Sequence, residues 1–560
     1  MGLREKPQET IRQDETGHRP VSSASNTNLG SPAEDRVAPK KSLAFYLTFG
    51  AVLVNLFLYA LDATTLSVAT PLLLISHQAI AADLAGTSLE SFWASISYLL
   101  AVAVTQPLYA ALSNVLGRKP CLYAAYLFFA VGSIVFGLAR NMGGVIAGRV
   151  LQGLGGGGLD VLSEIVITDM TTLQERSLYL GLMAIPMALG SVLGPTVGGV
   201  FSSLVTWRWL GWINLPLLAI SFPLTVFFLR LRPLEHSRLS RLRTLDWVGV
   251  PLFTAGIVLF ALPLSWAGNL YSWDSFRTLL PLLLGAALLC AFAFYEGKPA
   301  VPIMPHRIFQ SRTASATLAS VFFHGVSLYS LLQWLPLLYQ AVMAKTVLQS
   351  AVSLLPTSVV SVVAAVAGVT IVGRANVGYR WSIRISWALT AAGTGLLVLL
   401  DTDSSTSLVH GLPVIWGAGI GLLLRLLALP LHASVVRVDD IGLAIGILLT
   451  FRLLGGLVGL SICSTVFSSY FSQAIGAIGD LPPSVEHLRD PEAAVAFIPH
   501  LRTLDLPDDT LLPILQAYLT SIRAIVYTMT GFSGLGLLSS FFISDLTLQR
   551  TERSQQQFDG

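Results

Sequence analysis

Apolar runs of about twenty residues recur along almost the whole of this 560-residue chain, and they leave few folds open to it. As a helix, such a run rises 1.5 Å per residue and spans the ~30 Å hydrocarbon core of a bilayer. Inside lipid every backbone N–H and C=O must be bonded internally, so runs of this kind cross as helices. We place them at 46–73, 89–111, 119–139, 143–164, 178–201, 208–229, 246–267, 278–296, 315–341, 351–372, 382–400, 411–434, 444–468 and 525–544. Fourteen crossings return the chain to the side on which it started. Only 12% of the residues are charged, about half the share of a soluble domain, so there is too little polar surface to cover several soluble domains. The chain reads as an all-α polytopic membrane protein.

Basic residues give the orientation. The connection after the sixth run, "RLRPLEHSRLSRLR", holds Arg230, Arg232, Arg238, Arg241 and Arg243. Arg118, Lys119, Lys298, Arg307, Arg312, Arg374, Arg380 and Arg384 fall on the same side. Both termini are therefore expected in the cytosol, in a plasma, vacuolar or vesicle membrane. Residues 1–44 are polar, end on Lys40 and Lys41 and read as a disordered cytosolic tail. "MGLREK" opens like a myristoylation signal, but Lys6 stands where Ser or Thr is needed. The stretches "LSNVLGRKP" (112–120) and "VGRANVGYRW" (372–381) form a weak repeat, each a tight basic turn between two runs. Transporter halves are often related in this way. The expected layout is a six-helix bundle at 45–232, a basic linker at 233–243 and two inserted helices at 244–297. A second six-helix bundle follows at 298–545, with a large non-cytosolic loop at about 469–524 and a short helix at 509–523. A cytosolic tail closes the chain at 546–560.

Several chemistries find no support. Cys121, Cys290 and Cys463 lie in or beside apolar runs and are not spaced as metal ligands. Net charge is +3 and no Lys/Arg tract with interleaved aromatics appears, which argues against nucleic acid as a partner. HExxH, GxSxG and the ATP-binding GxxxxGK[ST] are missing from the sequence.

Charges inside the runs carry the functional reading, because an ionised group in hydrocarbon must be paired, neutralised or in contact with water. Asp62 in the first run lies ~16 Å from the outer end, and Arg149 in the fourth ~10 Å, at 1.5 Å per residue. A long arginine side chain bridges such a gap. Asp160 and Glu164 stand towards the cytosolic end of the fourth run, with Glu164 expected at the interface in water. Arg425 and Arg452 are further intramembrane charges; Arg425 either lies in a cavity that favours an anionic substrate or pairs with a backbone carbonyl. Gln152, His324, Tyr329, Gln333, Gln340 and His432 are candidates for a cavity lining, or alternatively for packing. In the fifth run Gly190, Gly194 and Gly198 recur every four residues and share one helix face, with Gly199 beside them. Overlapping GxxxG units let membrane helices approach closely, and Pro195 among them can kink the helix.

Four stretches in order resemble the marker motifs of the major facilitator superfamily: "LDATTLSVATP" (61–71), "LSNVLGRK" (112–119), "GRVLQGLGGGG" (148–158) and "GSVLGPTVGG" (190–199). With fourteen runs, and with "WRWLGWINLP" (207–216), "TLDWVG" (244–249) and "FRLLGGLVGLSI" (451–462), the chain is similar to its drug:proton antiporter branch, and to the fungal toxin-efflux pumps within it. The resemblance implies two six-helix bundles plus two extra helices, and an exporter of small amphipathic or lipophilic compounds. It implies a monomer in the bilayer that uses a proton gradient and no cofactor. It gives Asp62 and Arg149 a role in proton or substrate coupling, with a structural ion pair as the alternative; arginine keeps its proton, so Arg149 would act through a neighbouring carboxylate. It makes Asn114, Gly117, Arg118 and Lys119 a cytosolic latch between the bundles. The family's usual Asp at the position of Asn114 and Gly at that of Ala110 are missing, which leaves neutral hydrogen bonding in the latch. The motif holding Gly190, Gly194, Pro195, Gly198 and Gly199 is expected between the bundles. Arg452 fits the family pattern, and His432 stands where Gln is common. A narrow-specificity uptake or iron-chelate transporter, and a non-transporting receptor or scaffold, stay open as readings.

Overall fold

In the computed structural model the described residues are 41–65, 80, 83–86, 88–232, 243, 245–267, 271–299, 301–374, 378–478, 481–501, 506–547, 556 and 558–559. The expectations for residues 1–40, for most of the basic linker and for the end of the first run lie outside them. Thirteen helices among the described residues are long and apolar enough to cross a membrane. They are α1 (Leu43–Thr65), α2 (Ser88–Leu116), α3 (Arg118–Gly137), α4 (Met142–Met170), α6 (Trp209–Phe228), α7 (Gly249–Trp266), α8 (Phe276–Tyr295), α9 (Arg312–Ala341), α10 (Val347–Arg374), α11 (Tyr379–Leu396), α12 (Thr406–Ser434), α13 (Ile441–Gly476) and α14 (Asp508–Ser540). The fifth expected run is the remaining one. It is built in pieces: α5a (Leu173–Leu182), α5b (Ala184–Val200) and a π turn at Phe201–Val205.

Proline explains the break between α5a and α5b. Pro186 has no N–H, and its ring pushes against the carbonyl four residues back, at Leu182. The helix therefore stops at Met183, whose N–H bonds back to the Tyr179 carbonyl at 3.1 Å. The expected bend was tied to Pro195 instead. α5b runs through that position as continuous helix, and the surroundings of Pro195 and Gly199 are outside the described residues.

Helix ends follow their caps. The Asn141 side chain accepts from Gly144 N at the start of α4, and Ser311 from Ala314 N at the start of α9, satisfying donors that a helix leaves open. Gly117 starts α3 with φ 96°, a conformation that side chains with a Cβ rarely adopt. The last helix departs from expectation: 509–523 is not separate but forms the first half of α14. The loop before it is seated on the protein, where Tyr518 donates to the Ala494 carbonyl at 2.7 Å and Val485, Leu488 and Ile498 are buried.

α1 to α6 pack on one another, and so do α9 to α14, while α7 pairs with α8 and rests on α2 and α13. Glycine makes these approaches close. A Cβ at Gly155 of α4 would sit 2.6 Å from the Ala125 carbonyl of α3, and one at Gly153 would sit 2.7 Å from Ala101 Cβ of α2. The run "GLGGGG", which weakens an isolated helix by ~1 kcal/mol per Gly, thus lets α4 lie against two neighbours at once. The two groups of six meet mainly at the end that carries Arg118, Arg230 and Arg380, here called the basic end. There α2 meets α13, α4 meets α13, and α5a meets α10. Gly446 of α13 faces Ala110 of α2, and Gly181 of α5a faces Val366 and Val369 of α10.

Candidate functional site

Asp62 and Arg149 form a closed ion pair. Arg149 Nη1 donates to Asp62 Oδ2 at 2.7 Å, and both residues are at most 2% exposed. Asn214 of α6 donates to the other carboxylate oxygen at 2.9 Å, and Arg149 Nη2 donates to the Asp62 carbonyl at 3.3 Å. Gln152 accepts from Arg149 at 3.2 Å, and its amide lies 3.5 Å from Asp62 Oδ1. Ser133 of α3 accepts from both Gln152 and Asn214, and the guanidinium lies over the Tyr98 ring at 4.3 Å. Five helices thus converge on one carboxylate. The charges are paired and hydrogen-bonded, which is the condition for keeping them buried. Asn214, Tyr98 and Ser133 were not singled out from the sequence. Asn214 sits in "WINLP", and its signal was an amide between apolar neighbours.

Gly190 and Gly194 of the fifth run face inward to the same group of helices. A Cβ at Gly190 would sit 2.8 Å from Ala60 Cβ and Leu61 N of α1, and one at Gly194 would meet Thr64 Oγ1 and, at 2.8 Å, the Leu61 carbonyl. Thr64 Oγ1 itself lies 3.2 Å from the Gly190 carbonyl. Gly198 is buried further along α5b. The close contact of this motif is therefore with α1, one turn from Asp62, and the contact with the other group is made by α5a and α5b against α10.

At the basic end Arg118 is 3% exposed. Its Nε donates to Asp169 at 2.9 Å, Nη1 donates to Ser113 at 2.7 Å, and Nη1 also bonds Asn114 Oδ1. The expectation of purely neutral hydrogen bonding here is corrected: the carboxylate missing at position 114 is supplied by Asp169 at the end of α4. Asn114 Nδ2 reaches across to the Asp439 carbonyl at 3.4 Å, and Lys119 is half-buried nearby. Gln556 also docks on this turn, accepting from Arg118 N at 3.0 Å and donating to the Ser113 carbonyl at 3.1 Å.

A second set of buried charges lies between the groups. Glu164 is 4% exposed, not at the interface in water, because α12 and α13 cover it. Arg425 Nη1 donates to it at 3.4 Å, and Arg425 Nη2 reaches Met187 Sδ at 3.0 Å. Arg425 thus takes a carboxylate as partner; the backbone carbonyl goes to Arg452, which donates to Leu424 O at 3.1 Å. Asp160 accepts from Gln106 of α2 at 2.8 Å and interacts electrostatically with both arginines. Tyr329 and His324 of α9 border Arg452, and His324 Nε2 lies 3.1 Å from the Ile420 carbonyl. His432 is buried with neither ring nitrogen hydrogen-bonded among the described residues. Gln340 bonds the Pro336 carbonyl of its own helix and Gln333 is half-buried; neither joins a charge cluster. Among the described residues no group of three or more His, Cys, Asp or Glu is placed to hold a metal ion.

Known proteins bear on this arrangement. The chain is 52% identical over 524 residues to the MFS-type transporter sphD of Aspergillus fumigatus, covering 93% of this chain and 89% of that protein. It is 34% identical to the efflux pump FUS6 of Gibberella fujikuroi, over 91% of each chain. It is 33% identical to the MFS-type efflux pump MMF1 of Pseudozyma antarctica, over 94% of this chain and 95% of that one. Among solved structures, the fold is similar to that of the human organic anion transporter MFSD10, with a TM-score of 0.55 at 16% identity over 89% of this chain and 99% of that one. It is also similar to that of the proton:xylose symporter XylE, with a TM-score of 0.54 at 12% identity over 90% and 96%. The family model described as Major Facilitator Superfamily matches residues 52–460, through both groups of helices and both charge clusters. The chain is an integral membrane transporter that belongs to the major facilitator superfamily.

Proposed function

We propose that this transporter exports small amphipathic or lipophilic compounds by proton antiport, with the basic end and both termini in the cytosol. The observation that carries the coupling is the Asp62–Arg149 pair, a carboxylate enclosed by five helices with its countercharge at 2.7 Å. Protonation of Asp62 removes that attraction and frees a guanidinium that then needs another partner, so one proton alters how α1 and α4 hold together. Full-length relatives named efflux pumps support the export direction. The contacts of α2 with α13 and of α5a with α10 read as a cytosol-closed state, from which alternating access proceeds by parting the two groups.

Transport into inverted vesicles tests this. With an imposed pH gradient, labelled lipophilic compounds should accumulate, and a protonophore should abolish the accumulation. Movement that ignores the protonophore refutes antiport, and movement only in the opposite sense refutes export.

A further inference from the structure

The Asp62–Arg149 pair lies within one group of helices, so it does not by itself join the two. The charges of α4, α12 and α13 do. Asp160 and Glu164 project from α4, and Arg425 and Arg452 from α12 and α13, all of them at most 5% exposed. Neither 406–434 nor 441–476 contains an acidic residue, and among the described residues the carboxylates that act on these arginines are Glu164 and Asp160 of the other group. Parting the groups at the basic end separates two positive from two negative charges in a membrane interior.

The two carboxylates are held differently. Asp160 has a 2.8 Å hydrogen bond from Gln106, within its own group. Among the described residues Glu164 accepts one hydrogen bond, at 3.4 Å from Arg425, whose other terminal nitrogen goes to a thioether, and it attracts Arg452 without a hydrogen bond. Asp62, by contrast, is gripped at 2.7 and 2.9 Å. Glu164 is thus the loosely held acid and the one whose charge directly crosses the boundary. α1 brings Tyr59 to Asp160, and α9 brings Tyr329 and His324 to Arg452. On α3, Tyr126 is engaged with Asn55. On α5a, Arg176 donates to the Thr168 carbonyl and faces His432.

We infer that Glu164 is a second proton-coupling residue, whose ion pair with Arg425 locks the two groups together at the cytosolic end and whose protonation releases them. The inference rests on the antiport reading and gives it direction. An exporter driven by inward proton flow must favour the cytosol-open state when protonated, so that the proton leaves there and cargo enters. A bundle-crossing carboxylate that loses its charge on protonation has that sign: the Coulomb attraction to Arg425 and Arg452 falls, and the closed end loosens.

The test reads conformation without cargo. In a Cys290→Ser background, spin labels at Arg230→Cys and Arg437→Cys, one on each group, report the opening of the cytosolic end in lipid nanodiscs. The parent should lengthen this distance on going from mildly alkaline to mildly acidic buffer. Glu164→Gln should show the long distance in both buffers, and Asp160→Asn should keep the shift. The exchange Glu164→Arg with Arg425→Glu should restore the short distance in alkaline buffer, which excludes misfolding as the cause. A full shift retained in Glu164→Gln, or a shift lost only in Asp160→Asn, overturns the inference. The antiport reading fails separately: protonophore-insensitive transport alongside the expected distances would end that reading and leave the lock. Gradient-driven transport with Glu164→Gln distances equal to the parent's would do the reverse.

Discussion

Substituting Asp62 by Asn separates a coupling role from a structural one when it is paired with a compensating change. Asp62 Oδ2 takes the 2.7 Å bond from Arg149 and Oδ1 the 2.9 Å bond from Asn214. An asparagine offers one acceptor oxygen to these two donors, and its own NH2 turns a donor towards the other. The Arg149 guanidinium, at 1% exposure, then loses the one carboxylate it pairs with among the described residues. Removing one partner of a buried pair costs about 3–5 kcal/mol. The double variant Asp62→Asn with Arg149→Gln removes both charges and leaves two amides of similar size. Neighbouring groups of this kind couple by ~0.5–3 kcal/mol, so the double variant should regain a substantial part of that loss. Thermal denaturation of purified protein should therefore rank the parent first, the double variant next and Asp62→Asn last. Inverted-vesicle transport driven by a pH gradient should be lost in both variants, since neither retains the carboxylate at the site. If the double variant recovers both stability and gradient-driven transport, Asp62 and Arg149 only hold the fold together and the coupling role is refuted.

Two further outcomes follow from contacts elsewhere. Gly194→Leu should insert yet melt earlier and lose transport, because its Cβ alone would meet Thr64 Oγ1 and the Leu61 carbonyl on α1; normal transport by this variant would leave the glycine face with no more than a packing role. Glu296, just beyond α8, has its carboxyl pushed up from 4.5 to about 7 by burial, and the carboxylate of Asp246 adds to this against a hydrogen bond from Met304 N. A raised acid binds its proton more tightly folded than unfolded, so its stabilising contribution is complete below 4.5 and disappears as pH rises through about 7. Melting curves of Glu296→Gln and the parent should diverge between pH 4.5 and about 7 and keep a constant gap above it, with the variant the more stable there, and a gap that does not change across that window would refute the assignment.

What was legible in the sequence depended on how local its cause is. A bilayer demands an apolar helix of fixed length wherever the chain crosses, so the crossings were visible run by run. The exceptions have tertiary or single-residue causes. The first half of α14, "DDTLLPILQAYLTS", is polar enough to read as a separate surface helix, but it continues the crossing because the preceding loop packs on it. The interruption of the fifth run was present in the sequence as Pro186, yet the glycine-flanked Pro195 drew the attention. Depth along a helix placed Asp62 near Arg149, while direction around the helix was hidden. That is why Asn214, the neutral partner, and Asp169, the remote carboxylate of Arg118, were missed. Glu164 was assigned to the interface because distance from the helix end says nothing of what a second group of helices lays over it.

One part of that hidden arrangement is contained in the charges alone. In the first half of the chain Asp62 and Arg149 cancel each other, and Asp160 and Glu164 remain. In the second half Arg425 and Arg452 stand in α12 and α13 with no acid in either helix. Each half by itself would hold two unpaired charges in hydrocarbon, at several kcal/mol apiece. The sum vanishes only when the halves face each other with α4 against α12 and α13, which is where the structure puts the Glu164–Arg425 pair. A transporter that parts its halves in every cycle must then neutralise, hydrate or re-pair these four groups each time. The carboxylate with the weakest grip is the one on which that step most readily turns.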